Sequence, residues 1–503
     1  MRNRFKAVLI AALAVTTLMS GAVSAGAGSA GSLSLAASPA GTAPAPWTAS
    51  SAASPKTAVP LSATAFKQIA AGMYYSVALR ADGTVWTWGR NLWGELGVTT
   101  DNPITSVAAP VRLPNLSGIT AIATNGDGMQ VGLKSDGTVW EWGSITGLKA
   151  NIRETVPPRQ VEGLAGATAA VALKSAGAAL KADGGLRVWT HDAATGKANV
   201  KQVSGTFEWT NLVACGDMAF ALDAAGTAWG FGSRLEADGS MTIVNPYRLT
   251  GVPVLKQLAG CTSGIDRSGG AWTWTLSPNG VYEGQDLAPV KVTGKAKRVH
   301  PELKAKAIVP GGLLLTESGD VWRLDNGPTG KAGKVKGLSN IVSIAVGPFH
   351  NLALDAVGRV WGWGADNWNE TGIVRPDGDG MVYAPKPIQT AMNAYVNGKL
   401  LDSPFPARID NGSASVPMKA VLQALGGSFT VNNDYSTTIT YKQSTAVLLP
   451  DGGFAEIGGK RVALPAVKLG FSGVRMIPVS LLKLLGVHAA WDGKLGELRL
   501  SGA

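Results

Sequence analysis

The stretch that decides the fold runs Ile69-Ala70-Ala71-Gly72, Ser76-Val77-Ala78-Leu79, Ala81-Asp82-Gly83, Thr84-Val85-Trp86-Thr87-Trp88-Gly89. Two alternating apolar segments flank a Gly-containing turn, which is the signature of a β-hairpin whose turn needs positive φ. In the second strand a period of two puts Trp86 and Trp88 on one face. The turn-and-Trp element returns at Asp136 to Trp140, Gly184 to Trp189, Gly226 to Trp229, Gly269 to Trp272, Gly319 to Trp322 and Gly358 to Trp361. Such a regular return at supersecondary length predicts a repeat architecture rather than one irregular domain. A Trp column repeated once per unit predicts packing between sheets rather than a sugar-stacking platform.

Between the hairpins lie short segments with a Pro or polar start and β-branched residues: Ala109-Pro110-Val111-Arg112-Leu113, Pro158-Arg159-Gln160-Val161, Lys201-Gln202-Val203, Pro246-Tyr247-Arg248-Leu249, Ala288-Pro289-Val290-Lys291-Val292, Gly333-Lys334-Val335 and Ala384-Pro385-Lys386-Pro387-Ile388. Seven hairpins and seven companions predict a mainly β fold, a seven-bladed β-propeller over residues 64–390. The last companion follows the last hairpin, so it is expected to complete the blade begun near Phe66 and to tie up an open sheet edge. Composition agrees, since 65 glycines and 16 tryptophans in 503 residues suit short strands joined by tight turns.

The first repeat, continued by Asn91-Leu92-Trp93-Gly94-Glu95-Leu96-Gly97, resembles the repeat of the regulator of chromosome condensation family, and Gly347-Pro348-Phe349-His350-Asn351-Leu352-Ala353-Leu354 matches it with the family's typical His. The resemblance is strong in repeats one, two and seven, and repeats three, five and six are degenerate. It implies a propeller. The family's eukaryotic founder is a chromatin-bound exchange factor for a small GTPase, but no insertion matches its exchange wedge, and an export signal would separate this chain from both partners. Secreted bacterial members have similar short repeats, and one such group inhibits β-lactamases by docking a propeller face onto the enzyme, so inhibition is one form of protein binding that the resemblance implies.

Residues 1–25 have the layout of a secretory signal peptide: Arg2, Arg4 and Lys6, an apolar run through Met19, and the small-residue site Val23-Ser24-Ala25. That run is too short to span a membrane. Residues 26–63 are almost entirely Ala, Ser, Gly, Pro and Thr, which predicts a flexible linker. Loss of the signal takes the formal charge from +11 to +8, a diffuse excess that could favour acidic wall polymers. Cys215 and Cys261 fall near one phase of consecutive repeats, which leaves a single disulfide open in an oxidising compartment, against the separation expected of strands in different blades.

After about Ala391 the pattern changes. Val416-Pro417 to Gly426-Gly427 reads as a short helix with Pro in its first turn and Gly at its end, followed by strands at 428–431 and 437–441. Ile477-Pro478 to Gly486, then Val487 to Asp492 and Leu498 to Leu500, repeat the unit. This double unit resembles the copper amine oxidase N-terminal-like, or stalk, domain of exported proteins from Gram-positive bacteria, which implies a small α+β positioning module over 394–503. With His488 alone in the region, no copper site or oxidase activity is implied.

Catalysis finds little support. His191, His300, His350 and His488 are scattered, two cysteines are too few for a zinc site, and no phosphate-binding loop or nucleophile elbow occurs. Asp377-Gly378-Asp379-Gly380 lacks the remaining ligands of a calcium loop and reads as a polar turn. No cofactor, metal or catalytic residue is nominated. The expectation is a secreted or wall-associated, non-catalytic binding protein whose propeller loops engage a protein or cell-wall glycan, with no nucleic acid, no small GTPase and no membrane insertion. Two alternatives stand beside it: a wall-polysaccharide lyase or hydrolase, whose paired carboxylates sequence spacing would not reveal, and a structural envelope component.

Overall fold

In a computed structural model the chain is described over residues 65–502, except 99–104, 146–154, 193–194, 207, 278–286, 310–311, 326–330, 374–378, 389–390, 402, 404, 411–412, 466–469, 472–473 and 493–496. The expected signal peptide and linker lie outside the described residues. Among the described residues the repeat region forms seven four-stranded antiparallel sheets, each a meander of consecutive strands. Sheet 1 comprises Phe66–Ala71, Tyr75–Arg80, Val85–Arg90 and Ser106–Arg112; sheets 2 to 7 begin at Ile119, Ala167, Trp209, Gln257, Ala305 and Ile341, and sheet 7 ends with Met381–Pro387.

Alternation along each strand gives each sheet two apolar faces, and neighbouring sheets bury them against each other. Continuous cores join sheets 1 and 2, sheets 2 to 4, sheets 4 and 5, sheets 5 and 6, and sheets 6, 7 and 1, so the sheets form a closed propeller. Trp88, Trp142, Trp189 and Trp363 are fully buried in these cores. The tryptophan two residues earlier in sheet 7, Trp361, sits at the edge of the core and donates its indole N–H to Asp355, which ends the second strand of that sheet, His350–Asp355. The Trp column is therefore packing.

Closure differs from expectation. Met381–Pro387 pairs with Val360–Ala365 of its own sheet, and sheet 1 carries its own fourth strand, Ser106–Arg112. Every repeat supplies four strands, so none is left over to exchange. The ring shuts by side-by-side packing of sheet 7 on sheet 1, with Phe66 N–H donating to Gly358 O at 3.0 Å. Edge protection falls instead to prolines and cations on the outer strands, such as Pro385, Lys386 and Pro387 in sheet 7 and Lys295, Lys297 and Arg298 in sheet 5.

The C-terminal domain has the expected helices, Met418–Leu425 with Pro417 before it and Gly426 at φ 79° after it, and Val479–Leu484. These pack on a mixed sheet in which Ala391–Val396 runs parallel to Glu497–Gly502, beside a five-stranded meander over 428–463. This domain docks on the propeller. Arg80, at the end of a strand leading to the Asp82-Gly83 turn, lies 3.8 Å above the Trp86 ring and donates to Asn393 Oδ1 at 3.2 Å. Arg112 donates to Leu401 O at 3.1 Å, and Phe405 and Met476 complete the core of sheets 1 and 2. In a meander, strands 2 and 4 end on the same side, so the domain sits on that side of sheets 1 and 2, opposite the face that carries the other two loops of sheet 1.

Candidate functional site on the loop face

That opposite face carries the loops between strands 1 and 2 and between strands 3 and 4 of each sheet. Where sheets 7 and 1 meet, two such loops bring Tyr74 and Phe349 into a parallel stack, with ring centroids 4.6 Å apart. The Arg90 guanidinium sits 4.5 Å from the Tyr74 ring centroid. Phe349 is 41% exposed and Trp93, on the next loop, 48%. Exposed aromatics gathered around a cation on one rim mark a contact surface more than scattered apolar residues do.

Beneath this patch two loops repeat one geometry. Asn91 to Gly97 follows sheet 1's third strand, and Asp366 to Gly372 follows that of sheet 7. In the first, Asn91 Oδ1 accepts from Leu96 N at 3.0 Å and Glu95 Oε2 from Trp93 N at 2.8 Å. In the second, Asp366 Oδ1 accepts from Thr371 N at 3.0 Å and Glu370 Oε2 from Trp368 N at 2.7 Å. Both glutamates are fully buried. Their other oxygens differ: Glu95 Oε1 holds Arg90 Nε at 2.6 Å, whereas among the described residues no donor reaches Glu370 Oε1. Burial pushes the Glu370 carboxyl up to about 7, with Asp366 adding and the Trp368 N–H and Arg90 opposing.

The seam itself is a polar hub. Glu370 O accepts from Trp88 Nε1 at 3.0 Å and from Ser76 Oγ at 2.8 Å, and Ser76 Oγ is 2.7 Å from His350 Nε2. Since the one Ser76 hydroxyl proton goes to Glu370 O, His350 donates from Nε2 and is neutral. Its Nδ1 has no partner, and burial lowers the imidazole to about 3. Elsewhere the same Trp position is served differently: Trp142 Nε1 donates to Gln130 Oε1, whose amide in turn donates to Glu95 O, and Trp189 Nε1 donates to Glu141 Oε2 at 3.0 Å.

The remaining histidines are dispersed. His191 Nε2 lies 2.7 Å from buried Glu141 Oε1, between sheets 2 and 3. His300 pairs with Glu302 at the surface, and His488 lines a cleft of about 580 Å3 on the C-terminal sheet with Tyr395, Glu497 and Arg499. Glu497 and Arg499 bind each other at 3.0 Å, so that cleft offers no unpaired charge. Cys215 and Cys261 are bonded, with Cα atoms 5.4 Å apart, because the inner strands of sheets 4 and 5 approach closely at the loop face. Asp377 and Gly378 lie outside the described residues; Asp379 accepts from Met381 N and Tyr383 Oη. Among the described residues no group of three or more His, Cys, Asp or Glu side chains could hold a metal. Sequence reading missed Glu370, although aligning the two heptapeptides on their shared Trp and Glu would have found it.

Models of the regulator of chromosome condensation (RCC1) repeat match residues 66–92, 82–128 and 341–369. The chain carries RCC1 repeats. The matched segments contain strands from both sides of the seam and the whole Asn91–Gly97 loop, and end at Asn369, one residue before Glu370; the copper amine oxidase N-terminal domain matches residues 395–500. Probable E3 ubiquitin-protein ligase HERC6 of Homo sapiens is 36% identical over 91 residues, 18% of this chain and 9% of that protein. RCC1 domain-containing protein RUG3, mitochondrial, of Arabidopsis thaliana is 25% identical over 331 residues, covering 59% of this chain and 64% of its own length. The chain thus spans a small part of the ligase relatives and under two thirds of the plant one. Among solved structures, Prp20p from Saccharomyces cerevisiae, described with its binding properties to Gsp1p and histones, is similar at 16% identity and a TM-score of 0.45, covering 63% of this chain and 88% of that one.

Proposed function

We propose that this RCC1-repeat chain is an exported, non-catalytic binding protein that holds its ligand on the loop face at the seam of sheets 7 and 1. The observation that carries the reading is the Tyr74–Phe349 stack with Arg90 and exposed Trp93, placed on the face away from the C-terminal domain. Fixing the domain on the opposite face through Arg80, Arg112, Phe405 and Met476 orients that rim outward from the stalk-like module. The basic, apolar and small-residue order of residues 1–25 supports export, as does a disulfide, which persists in oxidising compartments. Export would separate the chain from a small GTPase and from chromatin, so neither is its partner.

The test uses the full chain, because Phe405 and Met476 fill the core under sheet 1 and a fragment ending at 390 would lack them. Immobilised wild type is compared with Trp93→Ala and Phe349→Ala for retention of envelope material, split into a protein fraction and a protein-free glycan fraction. Loss of retention in both variants, with unchanged melting temperature, is the expected result. Equal retention by all three, or turnover of a wall polymer by the wild type, would sink the reading.

A further inference from the structure

The two glutamate loops are the same device with one part missing. In sheet 1 the residue that ends the third strand is Arg90, and its guanidinium closes on Glu95 Oε1 at 2.6 Å. In sheet 7 the residue at that position, after the matching Val-Trp-x-Trp-Gly, is Ala365. The remaining contacts coincide. Each Glu Oε2 takes the N–H of the Trp two residues earlier, at 2.8 and 2.7 Å, so each Oε1 is turned toward the strand end. The residue between Trp and Glu has positive φ in both loops, Gly94 at 75° and Asn369 at 64°. Burying a carboxylate oxygen without a partner is costly, and a protein that solves the problem with arginine at one end of the seam leaves it unsolved at the other.

The geometry points to a cation slot at Glu370, filled on binding by a basic side chain, arginine above all, of a protein partner seated on the loop face. This deepens the reading above and rests on it. Three features fit a guanidinium. Oε1 is an unpaired acceptor in a fully buried carboxylate. Ala365 is part-exposed and carries only a methyl group where sheet 1 has the Arg90 stem, so this chain puts no cation of its own at that position. The stacked Tyr74 and Phe349 rings stand at the same seam, where aromatic faces accept a guanidinium plane as Tyr74 already accepts Arg90. The Tyr74 phenol, raised first by burial and further by Glu370, places that carboxylate within electrostatic reach of the stack. An arriving cation would displace the proton from Glu370, and the resulting charge-assisted pair would copy Arg90–Glu95.

The probe is N-acetyl-L-argininamide titrated into the full chain and followed by tryptophan fluorescence, with N-acetyl-L-glutaminamide as the neutral control. Saturable binding in the millimolar range is expected at pH 8, weakening at least tenfold by pH 5.5, with none for the neutral amide. Glu370→Gln removes the charge and Ala365→Arg fills the slot from within; both should lose at least tenfold in affinity, and Ala365→Arg should also raise the melting temperature. Argininamide binding that is absent in the wild type, independent of pH, or retained in either variant would overturn the slot. If Trp93→Ala and Phe349→Ala abolish retention of the envelope ligand while Glu370→Gln and Ala365→Arg do not, the slot fails and the loop-face reading stands.

Discussion

Between sheets 4 and 5 the inner strands are joined covalently by Cys215–Cys261 inside an apolar core that includes Val213, Phe220, Leu258 and Trp274. Between sheets 7 and 1, where the ends of the ring meet, there is no covalent tie and no exchanged strand; beside an apolar core that includes Phe66, Trp88, Leu352 and Trp363 and the Phe66 N–H bond to Gly358 O, the seam carries the Trp88, Ser76 and His350 hydrogen bonds around Glu370 O and a buried carboxyl with one oxygen unpaired. Both seams bury apolar surface; the first adds a covalent restriction of the unfolded chain, the second a cluster of satisfied polar groups. The polar seam is the one that carries titratable groups, and it lies beneath the exposed aromatics.

Reduction, or Cys215→Ser with Cys261→Ser, breaks the covalent side of the comparison and should have the largest effect. For a sequence separation of 46 residues, loop-closure entropy implies a loss of about 4 kcal/mol, read as a lower urea midpoint. The polar seam should barely respond, so probe binding at Glu370 is expected to survive reduction at temperatures where the fold persists.

The polar side is broken by pH, through two groups of opposite sign. Glu370 is raised from 4.5 to about 7 in the fold, so its contribution is full below pH 4.5 and lost as pH rises toward 7. His350 is lowered from 6.5 to about 3, so its contribution is full above pH 6.5 and lost as pH falls toward 3. In the wild type the two trends oppose each other between about 4.5 and 6.5. Glu370→Gln should flatten the alkaline limb of the stability profile, and His350→Gln the acid limb, each by roughly 3 to 3.5 kcal/mol over about pH 4 to 8. If both variants keep the wild-type profile over pH 4 to 8, the seam does not titrate. Trp88→Phe removes one donor while Ser76 still serves Glu370 O, and it shrinks a fully buried ring, so it should cost roughly 2 kcal/mol, by urea unfolding.

Much of this fold was legible because the signal was periodic. Trp86 and Trp88, two apart and repeated once per unit, announced sheets packed face to face, and Pro417 with Gly426 announced a helix that the structure places at Met418–Leu425. Closure was not legible. Ala384 to Ile388 looks like any outer strand, and whether it pairs with its own hairpin or with the first depends on strand counts within sheets, which alternation does not encode. The site was legible only by subtraction, since Glu370 matters through the arginine that sheet 7 lacks. A missing partner leaves no mark in one sequence until the two loops are superposed.

The smallest effect sharpens the comparison most finely, because it separates backbone preference from a single bond across the ring. Asn369 takes the left-handed conformation at φ 64° that Gly94 takes in sheet 1, and its Nδ2 donates to Ser106 Oγ of sheet 1 at 3.1 Å. Asn369→Gly relieves the side-chain penalty at positive φ, worth up to about 1 kcal/mol, and loses a part-buried hydrogen bond worth about as much. The net change should stay within about 0.5 kcal/mol, and the two halves can be resolved by a double-mutant cycle. Ser106→Ala should destabilise the wild type slightly and the Asn369→Gly background not at all. An equal cost in both backgrounds would mean that the Asn369–Ser106 contact contributes nothing across the seam, leaving the polar closure to the Trp88, Ser76 and His350 hub and the Phe66 N–H bond to Gly358 O.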